Sequence, residues 1–221
     1  MWLNMARDDY QKALKKGERS YARYLSEGKY PYLQVLEELL SHTDVVAEED
    51  LGICSIPSEM IVGTFTAGRR TAFAPNFMPL LDDESEFAAK WQALYNAHLE
   101  EGIHDPIKCY EFMNRYYVLE GNKRVSVLKF CGAPSVQGNV TRIIPKRTDE
   151  PENRLYFEFL AFYKCSKVNY IVLSKLGSYR TLLEKLGFEV VFSFFFKIFV
   201  FFLYFYKYIG FLDFFKCFGN G

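Results

Sequence analysis

The sequence predicts a mixed α/β (α+β) domain with additional segments at both ends. Residues 84–101 have the spacing of an amphipathic helix, and residues 111–133 have the pattern of a strand, a tight turn and a helix. Short apolar runs around these segments alternate with polar residues as strands do. A chain of 221 residues is long enough to bury one good hydrophobic core.

Charge and cysteine content disfavour several classes of protein. The 27 basic and 27 acidic residues balance, so contact with nucleic acid would require a local basic patch. Five scattered cysteines without a C-x-x-C pair disfavour a zinc site and a disulfide framework, and they fit a reducing compartment. The first 17 residues lack the apolar segment of a secretory signal. We therefore expect a cytoplasmic protein.

Residues 1–46 are predicted to form a helical hairpin. Over residues 8–28 a stripe of apolar side chains recurs at helical spacing, and it consists of Tyr10, Leu14, Tyr21 and Leu25. Pro31 is well placed to open a second helix with an apolar inner side. We expect this hairpin to pack on the main domain, and we prefer this interpretation to a DNA-reading helix–turn–helix.

The main domain is predicted over residues 47–150. It begins with a short strand at 51–56, and a second apolar run follows at 60–63. The loop 64–76 is rich in small residues and carries Arg69 and Arg70.

A long amphipathic helix then follows over residues 84–101. Its apolar face consists of Phe87, Trp91, Leu94, Tyr95 and Leu99. Asp82 or Ser85 would cap its start, and Gly102 would end it.

A β-hairpin and a strand–turn–helix complete the main domain. Residues 106–110 and 116–119 are predicted to pair through a turn at Met113 and Asn114. A helix over 122–130 stops at Gly132, and residues 135–146 form the next strand.

Residues 151–187 are predicted to be an extension. It contains a helix at 152–163, a strand at 168–173 and a helix at 179–186.

The turn before the helix at 122–130 concentrates residues that suit a phosphate group. Gly121 permits a sharp turn, and Asn122, Lys123 and Arg124 open the helix, where backbone N–H groups have no intrahelical partner. Lys123 supplies a mobile charge and Arg124 a bidentate fork. Glu120 lies next to this site, where it would orient a metal-bound water, act as a base or pair with Arg124. The alternative is a solvated, charged turn.

This segment resembles the central box of the ParB/sulfiredoxin-like superfamily. The resemblance covers about residues 56–147, and Glu120, Gly121, Lys123 and Arg124 match the acidic–Gly–x–x–Arg core of the box. It implies a mixed sheet with packed helices and the binding of a nucleoside triphosphate, CTP or ATP, with Mg²⁺. Glu120 would be the catalytic residue if the nucleotide is hydrolysed or its phosphate transferred.

The resemblance also implies a role for an earlier loop. In the superfamily such a loop faces the box, so Arg69 and Arg70 would reach the same phosphates. Solvent exposure of this loop is an equally weighted alternative.

Departures from the superfamily pattern leave other functions open. Asn122 stands where sulfiredoxin has its reactive cysteine, and no DNA-binding module follows the domain. No cluster of acidic or histidine residues predicts a metal site of the protein's own. A DNA-binding, nuclease or partition role is one alternative, and a homodimer is left open. For DNA, the strip of Arg142, Lys146 and Arg147 is a candidate contact, although a solvated strand end fits it better.

A non-catalytic regulatory or interaction module is a further alternative. About residues 8–186 resemble the N-terminal portion of clostridial-type ParB-like proteins that can continue into a basic-membrane-lipoprotein-like domain of a ligand-sensing or transport-associated protein.

Residues 188–221 differ sharply in composition from the rest of the chain. Thirteen of the 22 phenylalanines fall there. Phe, Lys, Tyr, Ile and Leu are what AT-rich codons encode without selection, so loss of the native reading frame is our first interpretation. A membrane anchor at 190–206 is the second, because one lysine in about 17 residues permits insertion. A buried terminal element is the third and weakest.

Overall fold

A computed structural model describes residues 2–187, so the predictions for residues 188–221 lie outside the described residues. The chain divides into two compact units. Of the described residues, the first unit contains 2–156 and 169–172, and the second contains 157–168 and 173–187. The first unit carries the sheet and all of the predicted site residues.

The first unit is built on a six-stranded mixed sheet, which confirms the predicted fold class. Its strands are β1 (Gln34–Val35), β2 (Val45–Pro57), β3 (Ile61–Thr64), β4 (Ile107–Phe112), β5 (Arg115–Glu120) and β6 (Ser135–Pro145). The order across the sheet is β1-β3-β5-β4-β6-β2. β1, β3 and β5 run parallel, β4 is antiparallel to β5 and parallel to β6, and β2 is antiparallel to β6.

The described part of the chain contains six α-helices. They are α1 (Trp2–Ser26), α2 (Leu36–Leu40), α3 (Glu86–Glu100), α4 (Asn122–Phe130), α5 (Pro151–Ser166) and α6 (Ser178–Lys185). Two 3₁₀ turns, Ser58–Met60 and Ala67–Ala72, flank β3.

The main core lies among α1, α3, α4 and the sheet, and Trp91 is at its centre. The Trp91 ring is fully buried, packs edge-on against Tyr10 of α1, and donates from Nε1 to Ser126 Oγ of α4 at 2.9 Å. That bond satisfies the polar atom of a large apolar side chain. α1 buries Ala6, Tyr10 and Ala13 here, whereas Leu25 of the predicted stripe is 52% exposed.

Two predicted elements are wrong. The second helix of the hairpin does not begin near Pro31, because Gln34 and Val35 pair with Gly63 and Thr64 as β1, and only the short α2 follows. The segment 168–173 contains no strand. The N-terminal feature is therefore one long helix followed by an edge strand.

The predicted hairpin is confirmed as β4 and β5. Its turn places Met113 and Asn114 at φ +52° and +61°, the left-handed conformation that two-residue hairpin turns require. Glu111 Oε1 accepts from the Asn114 backbone N–H at 2.7 Å and fixes the turn.

β2 forms one edge of the sheet. It pairs along its length with β6, and its other side is unpaired within the described sheet. Exposed Glu48, Glu49 and Asp50 precede a register shift at Gly52, whose φ is +67°. Charges and an irregularity on an edge strand are features that hinder pairing with another chain.

Candidate functional site

The predicted strand–turn–helix is present with the predicted helix bounds. β5 ends at Glu120, Gly121 turns the chain with φ +109°, and α4 begins at Asn122. A Cβ atom at Gly121 would lie 2.8 Å from Ile107 Cγ2 and 3.1 Å from Arg124 Nε. Both the conformation and the close approach therefore require glycine here.

The N-terminus of α4 opens onto a cleft of about 390 Å³. Its lining residues are Thr66, Arg69, Phe73, Phe87, Leu119, Glu120, Gly121, Asn122 and Lys123. The loop between β3 and α3 thus brings Arg69, but not Arg70, beside the first turn of α4. Phe73 and Phe87 meet edge to face at 5.2 Å between ring centroids and form an apolar wall.

Lys123 lies where several cations converge. Its Nζ is 4.7 Å above the centre of the Phe87 ring. Burial, followed by the positive charges of Arg69 and Lys90, lowers the pKa of Lys123, and Glu86 opposes this effect. A neighbouring cavity, also of about 390 Å³, shares Arg69, Phe87 and Lys123 with the cleft. The two cavities therefore meet at this pair of cations.

The side-chain oxygen of Asn122, Oδ1, is a buried hydrogen-bond acceptor. The Thr64 hydroxyl donates to Val118 O at 3.1 Å, so it accepts from Asn122 Nδ2 at 3.3 Å. This arrangement fixes the amide orientation, and none of the residues 2–187 donates a hydrogen bond to the buried Oδ1. A buried acceptor without a donor costs free energy, so the site favours a ligand that supplies one.

Arg124 is positioned differently from the prediction. Its Nη1 donates to the backbone oxygens of Asp105 and Pro106 at 2.9 and 2.7 Å, and its side chain is only 19% exposed. It does not line the cleft. Arg124 therefore holds the chain that leads into β4 against α4.

Glu120 lines the cleft but is engaged by cations. Lys108 Nζ lies 2.8 Å from its Oε2, and Arg124 Nη2 lies 3.8 Å from Oε1. The hydrogen bond and charge of Lys108 lower the pKa of Glu120. A carboxylate with a lowered pKa is a weak general base.

Arg70 and Arg142 point elsewhere. Arg70 forms an ion pair with Glu38 and lies 5.8 Å from the centre of the Tyr30 ring, so it is separated from its neighbour Arg69. Arg142 is 1% exposed and pairs with the equally buried Glu111, which corrects the predicted basic strip. Strand alternation places Arg142 on the inner side of β6.

The sequence did not identify the aromatic wall as part of a site. The helical spacing predicts Phe87 as a core residue of α3, and nothing in the sequence assigns Phe73 to a site. The available signal was a phenylalanine following two arginines in the loop that faces the box, but the path of that loop is set by tertiary contacts. Ala74 N–H donates to Met78 O, and Leu80 N–H donates to Ala72 O.

Residues 2–187 contain neither a metal-binding cluster nor a membrane-spanning helix. Within residues 2–187 no group of three or more His, Cys, Asp or Glu side chains is placed to hold a metal ion. None of the helices in this range is both long enough and apolar enough to cross a membrane.

Comparisons of the chain with protein-family models, curated proteins and solved structures found no match.

Proposed function

We propose that the cleft at the N-terminus of α4 binds a nucleoside triphosphate, CTP or ATP. The observation that carries the proposal is the pair of cations, Arg69 and Lys123, which share the cleft with the first turn of α4. In the described part of the chain neither cation forms an ion pair. An anion would relieve their mutual repulsion and accept from the free N–H groups of the helix.

The apolar wall supports a ligand with a planar ring. Leu119, which is 43% exposed, and Phe87, which is 8% exposed, offer apolar surface to the cleft, and the fully buried Phe73 supports Phe87 from behind. A nucleobase against these side chains would remove apolar surface from water while the phosphates remain with Arg69 and Lys123.

Asn122 supports a sugar hydroxyl rather than a phosphate. Its free Oδ1 is an acceptor, and a deprotonated phosphate has no proton to donate. A ribose hydroxyl has one, and so does a water bound to a cation. We therefore place Asn122 beside the ribose.

The side chains that line the cleft suit a phosphate group better than they suit a Mg²⁺ ion. Glu120 is the carboxylate that lines the cleft, and Lys108 already holds it. Mg²⁺ would therefore enter with the phosphates and its waters. Because the lowered pKa of Glu120 makes it a weak base, binding is the activity that this geometry supports best.

The test is thermal and denaturant unfolding with Mg²⁺ and CTP, ATP or GTP. At a 100-fold excess over Kd, one bound nucleotide stabilises the fold by about 2.7 kcal/mol. We expect at least one nucleotide to stabilise the unmodified protein. That stabilisation should be much smaller in Lys123→Met and in Arg69→Gln, and absent in the double variant.

Arg70→Gln is the matched control, because Arg70 is adjacent to Arg69 and faces away from the cleft. Its nucleotide effect should equal that of the unmodified protein. Stabilisation that survives in the Lys123/Arg69 double variant would refute this placement of the site. No effect with any nucleotide would refute the proposed function and turn attention to the interaction-module alternative.

A further inference from the structure

A second cavity, of about 570 Å³, lies at the opposite end of α4. The cleft described above is at the end of β5 and the start of α4. The second cavity is lined by Ile61 and Arg115, which begin β3 and β5, and by Lys129 near the end of α4. Because β3 and β5 are parallel, their first residues lie at the same edge of the sheet. The two cavities are therefore separate.

Lys129 is an ammonium in a largely apolar setting. Its Nζ donates to Ile61 O at 2.8 Å and lies 4.9 Å from the centre of the Phe77 ring. An ammonium has three protons, and the described residues provide this one hydrogen-bond acceptor. Burial lowers the pKa of Lys129 to about 8. Among the described residues, Lys129 forms no ion pair that would compensate its charge.

Arg115 adds a second uncompensated cation. Its side chain is exposed and forms no ion pair within residues 2–187. Lys29, which also lines the cavity, is held by Glu27 at 2.7 Å. Glu59 contributes a carboxylate to the lining. Its single negative charge is smaller than the combined positive charge of Lys129 and Arg115.

Three tyrosines line one side of the same cavity: Tyr24, Tyr30 and Tyr32. Tyr30 and Tyr32 meet edge to face at 5.6 Å, and Tyr21 packs in the same way against Tyr32 at 5.3 Å. These contacts fix the orientation of the Tyr30 and Tyr32 rings in the lining. Aromatic side chains next to unpaired cations favour a ligand that combines a ring with an anionic group.

We propose that this cavity is a second ligand site, which takes a small molecule with a planar ring and a carboxylate or phosphate group. Lys129 and Arg115 bind the anionic group, and Tyr24, Tyr30 and Tyr32 contact the ring. The inference does not depend on the nucleotide cleft, with which the cavity shares no lining residue.

The test is the binding of phenyl phosphate, benzoate and neutral benzyl alcohol to the full chain at pH 7, followed by ligand-observed NMR and calorimetry. We expect phenyl phosphate or benzoate to bind at least tenfold more tightly than benzyl alcohol, and the better of the two identifies the anion. Lys129→Met and Arg115→Gln should each weaken that binding about tenfold. Arg115 is exposed, so its variant tests the site even if Lys129→Met fails to fold.

Lys146→Met removes an exposed lysine that lines neither cavity, so it is the matched control and should bind the probe unchanged. Lys123→Met reports whether the probe binds in the first cleft instead. The proposal is overturned if neither anion binds, if binding survives both Lys129→Met and Arg115→Gln, or if Lys123→Met alone abolishes it. A further arm uses inorganic phosphate. Equal affinity for inorganic and phenyl phosphate would overturn the role of the tyrosines.

Discussion

Burial of Lys129 should make the stability of the fold rise with pH. Its pKa of about 8 in the fold is below the value of 10.5 for an unperturbed lysine, so the unfolded chain binds more protons between these values. Below about pH 8 both states are protonated and the fold bears the full cost of the buried charge. Above that pH the cost is relieved, by an amount on the order of 3 kcal/mol in total.

The corresponding experiment compares urea unfolding of the unmodified protein and Lys129→Met from pH 7 to 10. Tyrosine and cysteine ionisation cancels in the difference between the two proteins. We expect the unmodified protein to gain stability relative to the variant as pH rises above 8. A constant difference would show that the Lys129 charge is not desolvated.

The sequence could predict which individual side chains suit phosphate, but it could not predict which of them line the cleft. Lys123 and Arg69 meet in the cleft as expected. Arg124 was expected there for the same chemical reasons, yet it binds the Asp105 and Pro106 carbonyls. Those acceptors become available only when the loop before β4 has packed on α4. No local pattern encodes that contact.

The turn into α4 is the element whose geometry is most restrictive. Gly121→Ala introduces a side chain at φ +109° and also places Cβ 2.8 Å from Ile107 Cγ2. Gly132→Ala is the matched control, because Gly132 has φ +76° but open space around it. We expect the control to lose about 1–2 kcal/mol from backbone conformation alone.

Gly121→Ala should lose about 1–3 kcal/mol more, from steric overlap. Chemical denaturation measures both variants, and equal losses would contradict the crowding at Gly121. The same variant tests the first cleft, because displacement of the α4 N-terminus should weaken nucleotide binding beyond any effect of Gly132→Ala.

The start of α3 depends on its cap. Ser85 Oγ accepts from Ala88 N–H at 3.1 Å, which satisfies one of the free donors of the first turn. We expect Ser85→Ala to lose about 1 kcal/mol of stability. Ser85→Asp keeps an acceptor and should retain most of it. Similar losses in the two variants, measured by thermal unfolding, would contradict the capping role.

Elements with strong local signals were predicted well, and those determined by pairing were not. The bounds of α4 follow from its glycine, its polar first turn and its apolar body. By contrast, residues 31–40 have helical spacing, but Gln34 and Val35 form a strand because β3 offers hydrogen-bond partners. Tertiary pairing overrides propensity in such short segments.

For the molecule as a whole, the buried pair of Glu111 and Arg142 connects several parts of the first unit. Glu111 Oε2 accepts from Arg142 Nε and from the Tyr156 hydroxyl, so β4, β6 and the first turns of α5 meet at one carboxylate. Glu111→Gln leaves the Arg142 charge buried without this carboxylate and should lose about 3–5 kcal/mol.

A double-mutant cycle separates this effect from simple loss of contact. Glu111→Gln with Arg142→Met removes both charges, so it should recover much of the stability lost in the single variant. The exposed pair of Asp44 and Lys146 is the control, and Lys146→Met should change stability within experimental error. A double variant no more stable than Glu111→Gln would contradict the proposed cost of the unpaired charge.

The pairing of β2 has a consequence during synthesis on the ribosome. Val45 pairs with Pro145 and Pro57 with Ser135, so β2 leaves the ribosome long before its partner strand has been made. In that interval both of its sides are open to other nascent chains. Glu48, Glu49 and Asp50 place three negative charges on this strand, and we expect such charges to hinder pairing with other strands until β6 emerges.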